Sequence, residues 1–84
     1  MAVYVRPVDQ GTRVGFVAGR RVGGAVERNR ARRLLRESWR SLAGGARSGF
    51  DVVFMALPRM QGSKMADVAT EMRQILAEAG VIPE

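Results

Sequence analysis

Five arginines and one asparagine fill ten consecutive positions, Arg28 to Glu37, yet the residues among them keep a helical apolar spacing. Set at about 100° per residue from Val26, Ala31, Leu34, Leu35, Ser38, Trp39 and Leu42 fall on one contiguous face. Asn29, Arg32, Arg33, Arg36 and Arg40 gather on the other. The first face can pack on a sheet. The second is a stripe of guanidinium groups. Arg28 and Arg30 lie at the start of the helix, where the macrodipole disfavours cations by about 0.3 kcal/mol or more. Glu27 and Glu37 relieve little of the charge. A helix gains nothing in folding from such repulsion, so the stripe points to an external polyanion, a nucleic-acid backbone before others. Arginine's rigid fork matches phosphate oxygens in pairs and stacks on bases. The plain alternative is a solvated basic face, which suits a mixed Lys/Glu helix better than a one-sided arginine run.

The rest of the chain sharpens this reading. With 84 residues there is room for one domain, residues 1–84, and one modest core. The net charge is +6, and eight of the fourteen basic residues lie between Arg20 and Arg40, against two acids. Charge is therefore localised rather than spread for solubility. Cysteine and histidine are both absent. That excludes disulfides, thiol nucleophiles, histidine-based triads and zinc sites of the usual ligand types. No apolar run approaches a membrane span and no signal-peptide pattern opens the chain, so a soluble, cytoplasmic protein is expected.

The patterning predicts the order β-β-α-β-α, an α+β sandwich with two helices packed on a small sheet. Val3 to Val8 reads as a strand ending near Pro7, Asp9 to Thr12 as a turn, and Arg13 to Gly19 as a second strand with Val14, Phe16 and Ala18 on one face. These two strands are expected to pair as an antiparallel hairpin. The arginine helix runs over roughly 25–42, and Gly44 and Gly45 stop it. Phe50 to Leu57 is nearly all apolar, which suits a central strand buried on both faces. Ser63 can cap a last helix whose apolar stripe is Met65, Val68, Met72, Ile75, Leu76 and Ala79, with Gly80 at its exit. The methionines read as core filler rather than a binding groove.

Gly19 to Gly24 reads Gly-Arg-Arg-Val-Gly-Gly, between strand and helix. Glycine there permits close approach of a phosphate. The segment lacks the spacing of a P-loop or a dinucleotide fingerprint, which disfavours a nucleotide enzyme. It is either a simple turn or, with Arg20 and Arg21, an RNA contact. The eight acids are scattered, so no catalytic constellation is visible and no metal site of the chain's own is expected. Asp51 reads as an edge residue or an arginine's partner.

The ordered run Arg13-Val14-Gly15-Phe16-Val17, Arg20-Arg21-Val22-Gly23, Ala25-Val26 and Arg28 to Glu37 resembles the bacterial ribonuclease P protein subunit, and the later strand and helix agree in order and spacing. The resemblance implies a ribosomal protein S5 domain 2-like fold with a left-handed β-α-β crossover, against the general right-handed rule. It implies a non-catalytic protein component of an endoribonuclease. Such a subunit binds ribonuclease P RNA, which carries the active site, and assists magnesium-dependent removal of the 5′ leader from precursor tRNA. Mg2+ then acts through the RNA, with none bound by the protein alone. Carried over by position, Arg28, Asn29, Arg30, Arg32, Arg33 and Arg36 form the surface on the catalytic RNA, joined by Arg20 and Arg21. Tyr4 falls where the family has a leader-binding aromatic; stacking on an unpaired base and core or sheet packing stand evenly as its role.

Two departures bear on these expectations. Gly24 stands where the family has asparagine. The family also opens with a basic segment and a helix that walls the leader cleft, whereas this sequence opens at the strand, as a truncated chain or a minimal variant would. Leader binding is thus less firmly expected than binding to the catalytic RNA. An uncovered sheet face suggests partner docking, a homodimer or strand exchange. Beside this reading stand a general RNA-binding or ribosome-associated module of similar fold, and a domain whose basic helix meets an acidic protein.

Overall fold

The structure, a computed structural model, describes residues 1–83. Strands β1 (Ala2–Pro7), β2 (Thr12–Ala18) and β3 (Phe50–Ala56) form one sheet, and helices α1 (Ala25–Leu42) and α2 (Met65–Glu78) complete the fold. The expected element order and α+β class are both present. Short 3-10 turns occupy Arg20–Val22, Ala43–Gly45 and Pro58–Met60.

The expected β1–β2 hairpin does not form. The sheet order is β1-β3-β2, with β3 antiparallel to β1 and parallel to β2. β3 is the most apolar strand, and placing it centrally satisfies its backbone groups on both edges. The four residues Val8 to Gly11 bridge the two strand spacings, about 9.6 Å, that separate β1 from β2. Their backbone bonds go to the approach to β3: Val8 N–H donates to Gly49 O at 2.9 Å, and Gly49 N–H to Gly11 O at 2.7 Å.

The register sorts the sheet into two faces. Val3, Phe54 and Phe16 lie side by side on the inner face, as do Val5, Val52 and Val14. Both helices supply the core here: Ala31 and Leu35 from α1, and Val68, Met72 and Leu76 from α2, are buried with Val52, Phe54 and Val22. Phe16 stacks on Phe54 with centroids 5.8 Å apart, and Trp39 meets Phe54 at 5.7 Å. Among the described residues no helix lies over the opposite face. Tyr4 and Val53 are adjacent in register there, and both are exposed, as is Val17. The expectation that β3 is buried on both faces is therefore wrong. Val53 and Met55 make the strand read as continuously apolar although only Val52, Phe54 and Ala56 are buried.

The last helix also differs in detail. Lys64, not Ser63, is its N-cap, and no side chain caps it. Ser63 instead offers its carbonyl to Arg30. Met65 is exposed and so is Ala79, leaving Val68, Met72, Leu76 and the half-buried Ile75 as the stripe. At the exit Gly80 takes φ of +81°, and Val81 N–H returns to Leu76 O at 2.9 Å. That closure tucks Val81 and Ile82 into the core.

Ser38 lies fully buried on the packing face of α1, and its hydroxyl has no hydrogen-bond partner among the described residues. A buried hydroxyl without a partner is a net cost. Ser38→Ala is expected to stabilise the fold by about 1 kcal/mol, read as a rise in melting temperature of roughly 4–8 °C. A lowered melting temperature would show that the hydroxyl is satisfied.

Candidate nucleic-acid interface

The inner packing of α1 dictates where its arginines go. Ala31, Leu35 and Ser38 bury one face, so Asn29, Arg30, Arg33, Arg36 and Arg40 emerge exposed, with Arg28 and Arg32 half-buried at the margins. The stripe runs from Arg28 to Arg40, so at 1.5 Å per residue it extends over about 18 Å.

The electrostatics of this stripe differ from those of the other arginines. Among the described residues, the arginine–carboxylate ion pairs are Arg6–Asp51, Arg13–Asp51 and Arg59–Glu71. None involves α1, although Glu27 and Glu37 lie on the same helix. Several guanidiniums are nonetheless positioned. Arg30 donates to Ser63 O at 3.3 Å, Arg32 donates to Asn29 Oδ1, and Arg36 lies over the Phe16 ring at 5.6 Å. They are ordered by neutral groups and keep their charge.

The N-terminal end of α1 continues the basic surface. Arg20 and Arg21 are exposed on the 3-10 turn just before it, anchored by the buried Val22 between them and the helix. Gln61 donates to Val22 O and pins this turn to the loop before α2. Gly23 has φ of +142°, and a Cβ there would come within 2.9 Å of Glu27 Cβ, so the approach of the turn to the helix requires glycine. Gly24 is the N-cap, with no side-chain cap, and its carbonyl accepts from Arg28 N–H at 2.9 Å. The first-turn N–H groups that an asparagine side chain there would accept from are left open to solvent or ligand.

Arg20, Arg21, Arg28, Asn29, Arg30, Arg32, Arg33 and Arg36 are thus brought together along one helix and its leading turn. Tyr4 is not among them. It projects from β1 on the open face of the sheet, the face opposite α1, and is 58% exposed. Packing within the core is excluded for Tyr4 by that exposure.

Two arginines that sequence reasoning passed over share Tyr4's face. Arg6 and Arg13 flank Asp51 in register from the two edge strands. Arg13 holds Asp51 with bonds of 3.0 and 2.7 Å, and Arg6 adds one at 2.8 Å. The Tyr4–Arg6 spacing of two along a strand was the available signal. Shallow grooves run on both sides of Val53, one between Tyr4, Arg6 and Asp51, the other between Arg13, Gly15 and Asp51.

The Arg13 hydrogen bonds first, and that from Arg6 second, lower the Asp51 carboxyl to about 2. The ordinary unfolded value is about 3.9. A depressed carboxylate stabilises the fold above its unfolded pKa and loses that contribution as pH falls through the folded value. At pH 7 the Asp51→Asn variant is expected to melt below the parent. The gap should narrow under about pH 4 and close only below the folded value of about 2, as thermal melts across pH would show. A gap independent of pH would mean that the ion pairs are not its source.

Comparison with known proteins agrees with this architecture. The family model described as Ribonuclease P matches residues 1–80. The ribonuclease P protein component of Dehalococcoides mccartyi is 42% identical over 71 residues, covering 84% of this chain and 58% of that protein. That of Chloroflexus aurantiacus is 40% identical over 85 residues, covering 99% and 63%. The chain thus spans about three-fifths of the length of these curated relatives. The solved ribonuclease P protein of Thermotoga maritima superposes with a TM-score of 0.79 at 26% identity, covering 90% of this chain and 74% of that one. The Staphylococcus aureus protein shares the fold, with a TM-score of 0.80 at 21% identity, covering 95% and 74%. On the strength of the family match and these identities, the chain belongs to the ribonuclease P protein family.

Proposed function

We propose that this chain is the protein subunit of a ribonuclease P, binding the catalytic RNA through the arginine face of α1 and the Arg20–Arg21 turn. In this reading it assists magnesium-dependent removal of the 5′ leader from precursor tRNA in the cytoplasm. The observation that carries the reading is that α1's six arginines have no carboxylate partner among the described residues, and that three of them, Arg30, Arg32 and Arg36, are held by neutral groups. A surface built this way keeps its full charge for phosphates and has part of its ordering cost already met. The chain's residues bind and position. Among the described residues no three acidic side chains converge, and the reading assigns Mg2+ to the RNA subunit. No helix among them is long and apolar enough to cross a membrane.

The leader belongs to the open sheet face. Tyr4 offers an exposed ring on which one unpaired base can stack, a contact worth about 1–3 kcal/mol, with Arg6 and Arg13 beside it for the backbone. Tyr4→Ala is expected to weaken binding of a precursor with a single-stranded leader by roughly tenfold while leaving mature tRNA almost unaffected. Equal loss for both would remove Tyr4 from leader binding. The same face exposes Tyr4, Val17 and Val53, and pairing of two copies or strand exchange there belongs to the proposal. Sedimentation as a monomer at micromolar concentration would remove that part.

Competition tests the central reading. Labelled ribonuclease P RNA bound to the chain should be displaced by unlabelled ribonuclease P RNA and resist an acidic protein at equal charge. Displacement by the acidic protein alone would favour a protein partner, and equal displacement by any structured RNA would favour a general RNA-binding module.

A further inference from the structure

We infer that Phe16 is a positioning residue for RNA binding, holding the Arg36 guanidinium over its ring at the edge of α1 and leaving its donors free for phosphate. The inference rests on the proposal that the α1 stripe meets RNA, and it assigns a part to a residue that belongs to the core side of the sheet.

The geometry is a ladder of four side chains. Trp39 packs on Phe54 at 5.7 Å, Phe54 stacks on Phe16 at 5.8 Å with the rings 12° from parallel, and Arg36 lies 5.6 Å from the Phe16 centroid. Phe54 is fully buried in the central strand, so the inner rung is immobile. Phe16 is half-buried and Arg36 exposed, so the ladder runs from the core to the solvent boundary.

Holding an arginine by its face differs chemically from holding it by its edge. A ring under the guanidinium attracts the cation through the quadrupole and consumes no N–H. Arg13 spends two donors on Asp51, Arg32 one on Asn29, and Arg30 one on Ser63. Arg36 has no hydrogen bond among the described residues and keeps its fork free for a bidentate phosphate contact. It is therefore the stripe's most preorganised unspent donor. An aliphatic residue at position 16 could fill the core but could not orient the charge.

A double-mutant cycle on the whole chain tests this, with affinity for ribonuclease P RNA as the readout. Arg36→Ala is expected to lower the salt slope by roughly one unit. Phe16→Leu is expected to weaken binding about two- to fivefold, Phe16→Tyr to bind as the parent, and Phe16→Leu to add nothing once Arg36 is alanine. Melts fix an assay temperature at which every variant is folded. If Phe16→Leu costs the same with and without Arg36, or if it binds as the parent, the ring acts only as packing and the inference fails. An Arg36→Ala variant with unchanged affinity would overturn it at an earlier step, by removing Arg36 from the RNA surface. Intact binding losses at Arg32 and Arg33 in that event would leave the proposed function standing.

Discussion

Replacing Arg32, Arg33 and Arg36 together with alanine is expected to weaken binding to ribonuclease P RNA roughly a hundredfold near physiological salt. That corresponds to about 1 kcal/mol for each lost charge-assisted contact after screening. The more diagnostic change is in the salt dependence. Each phosphate contact releases condensed counterions, so the slope of log affinity against log salt should flatten by roughly one unit per contact, about three in all. The fold should survive, because Arg33 and Arg36 are exposed, Arg32 is half-buried, and none of them makes an ion pair among the described residues. Relief of charge crowding along α1 offsets part of any packing lost over Phe16. Unchanged affinity with an unchanged slope would mean that the stripe is a solvated face.

The second large effect is on stability. Trp39→Ala removes a half-buried indole packed on Phe54, which is the fully buried centre of β3. The expected loss is about 3 kcal/mol, the low end for removing a large aromatic, because part of the ring already meets water. For a domain of this size that lowers the melting temperature by roughly 12–24 °C. RNA binding measured below the transition should keep its salt slope, since no phosphate contact is removed. An unchanged melt would show that Trp39 contributes no core packing. A flattened slope at full stability would place it on the RNA surface instead.

The two substitutions separate what was readable from sequence and what was not. The arginine helix was legible because a local period decides it. Residues three and four apart share a face whatever lies elsewhere in the chain, so Ala31, Leu35 and Ser38 fell inward together and Arg33 and Arg36 outward. The sheet order was not, because the Asp9–Thr12 turn is a local signal while the partner of each strand is a long-range choice. β1 and β2 both pair with a strand some 40 residues away rather than with each other. The same separation hid the Asp51 cluster, whose arginines lie 45 and 38 residues distant. Alternation in β3 was masked by Val53 and Met55, apolar residues on the open face. A half-open strand then looked fully buried. Tyr4 could be marked as an aromatic in a strand, but only the register with Val53 shows that it faces away from the arginine helix.

That separation gives the molecule two chemically distinct faces, a basic helix on one side of the sheet and an aromatic, arginine-flanked face on the other. The most direct test of their joint role is cleavage of a precursor tRNA by bacterial ribonuclease P RNA at low magnesium, with and without this chain. Cleavage that appears only when the chain is added is the predicted result. Tight binding of the RNA with no gain in cleavage would contradict the assignment of leader processing to this chain and leave it an RNA-binding relative.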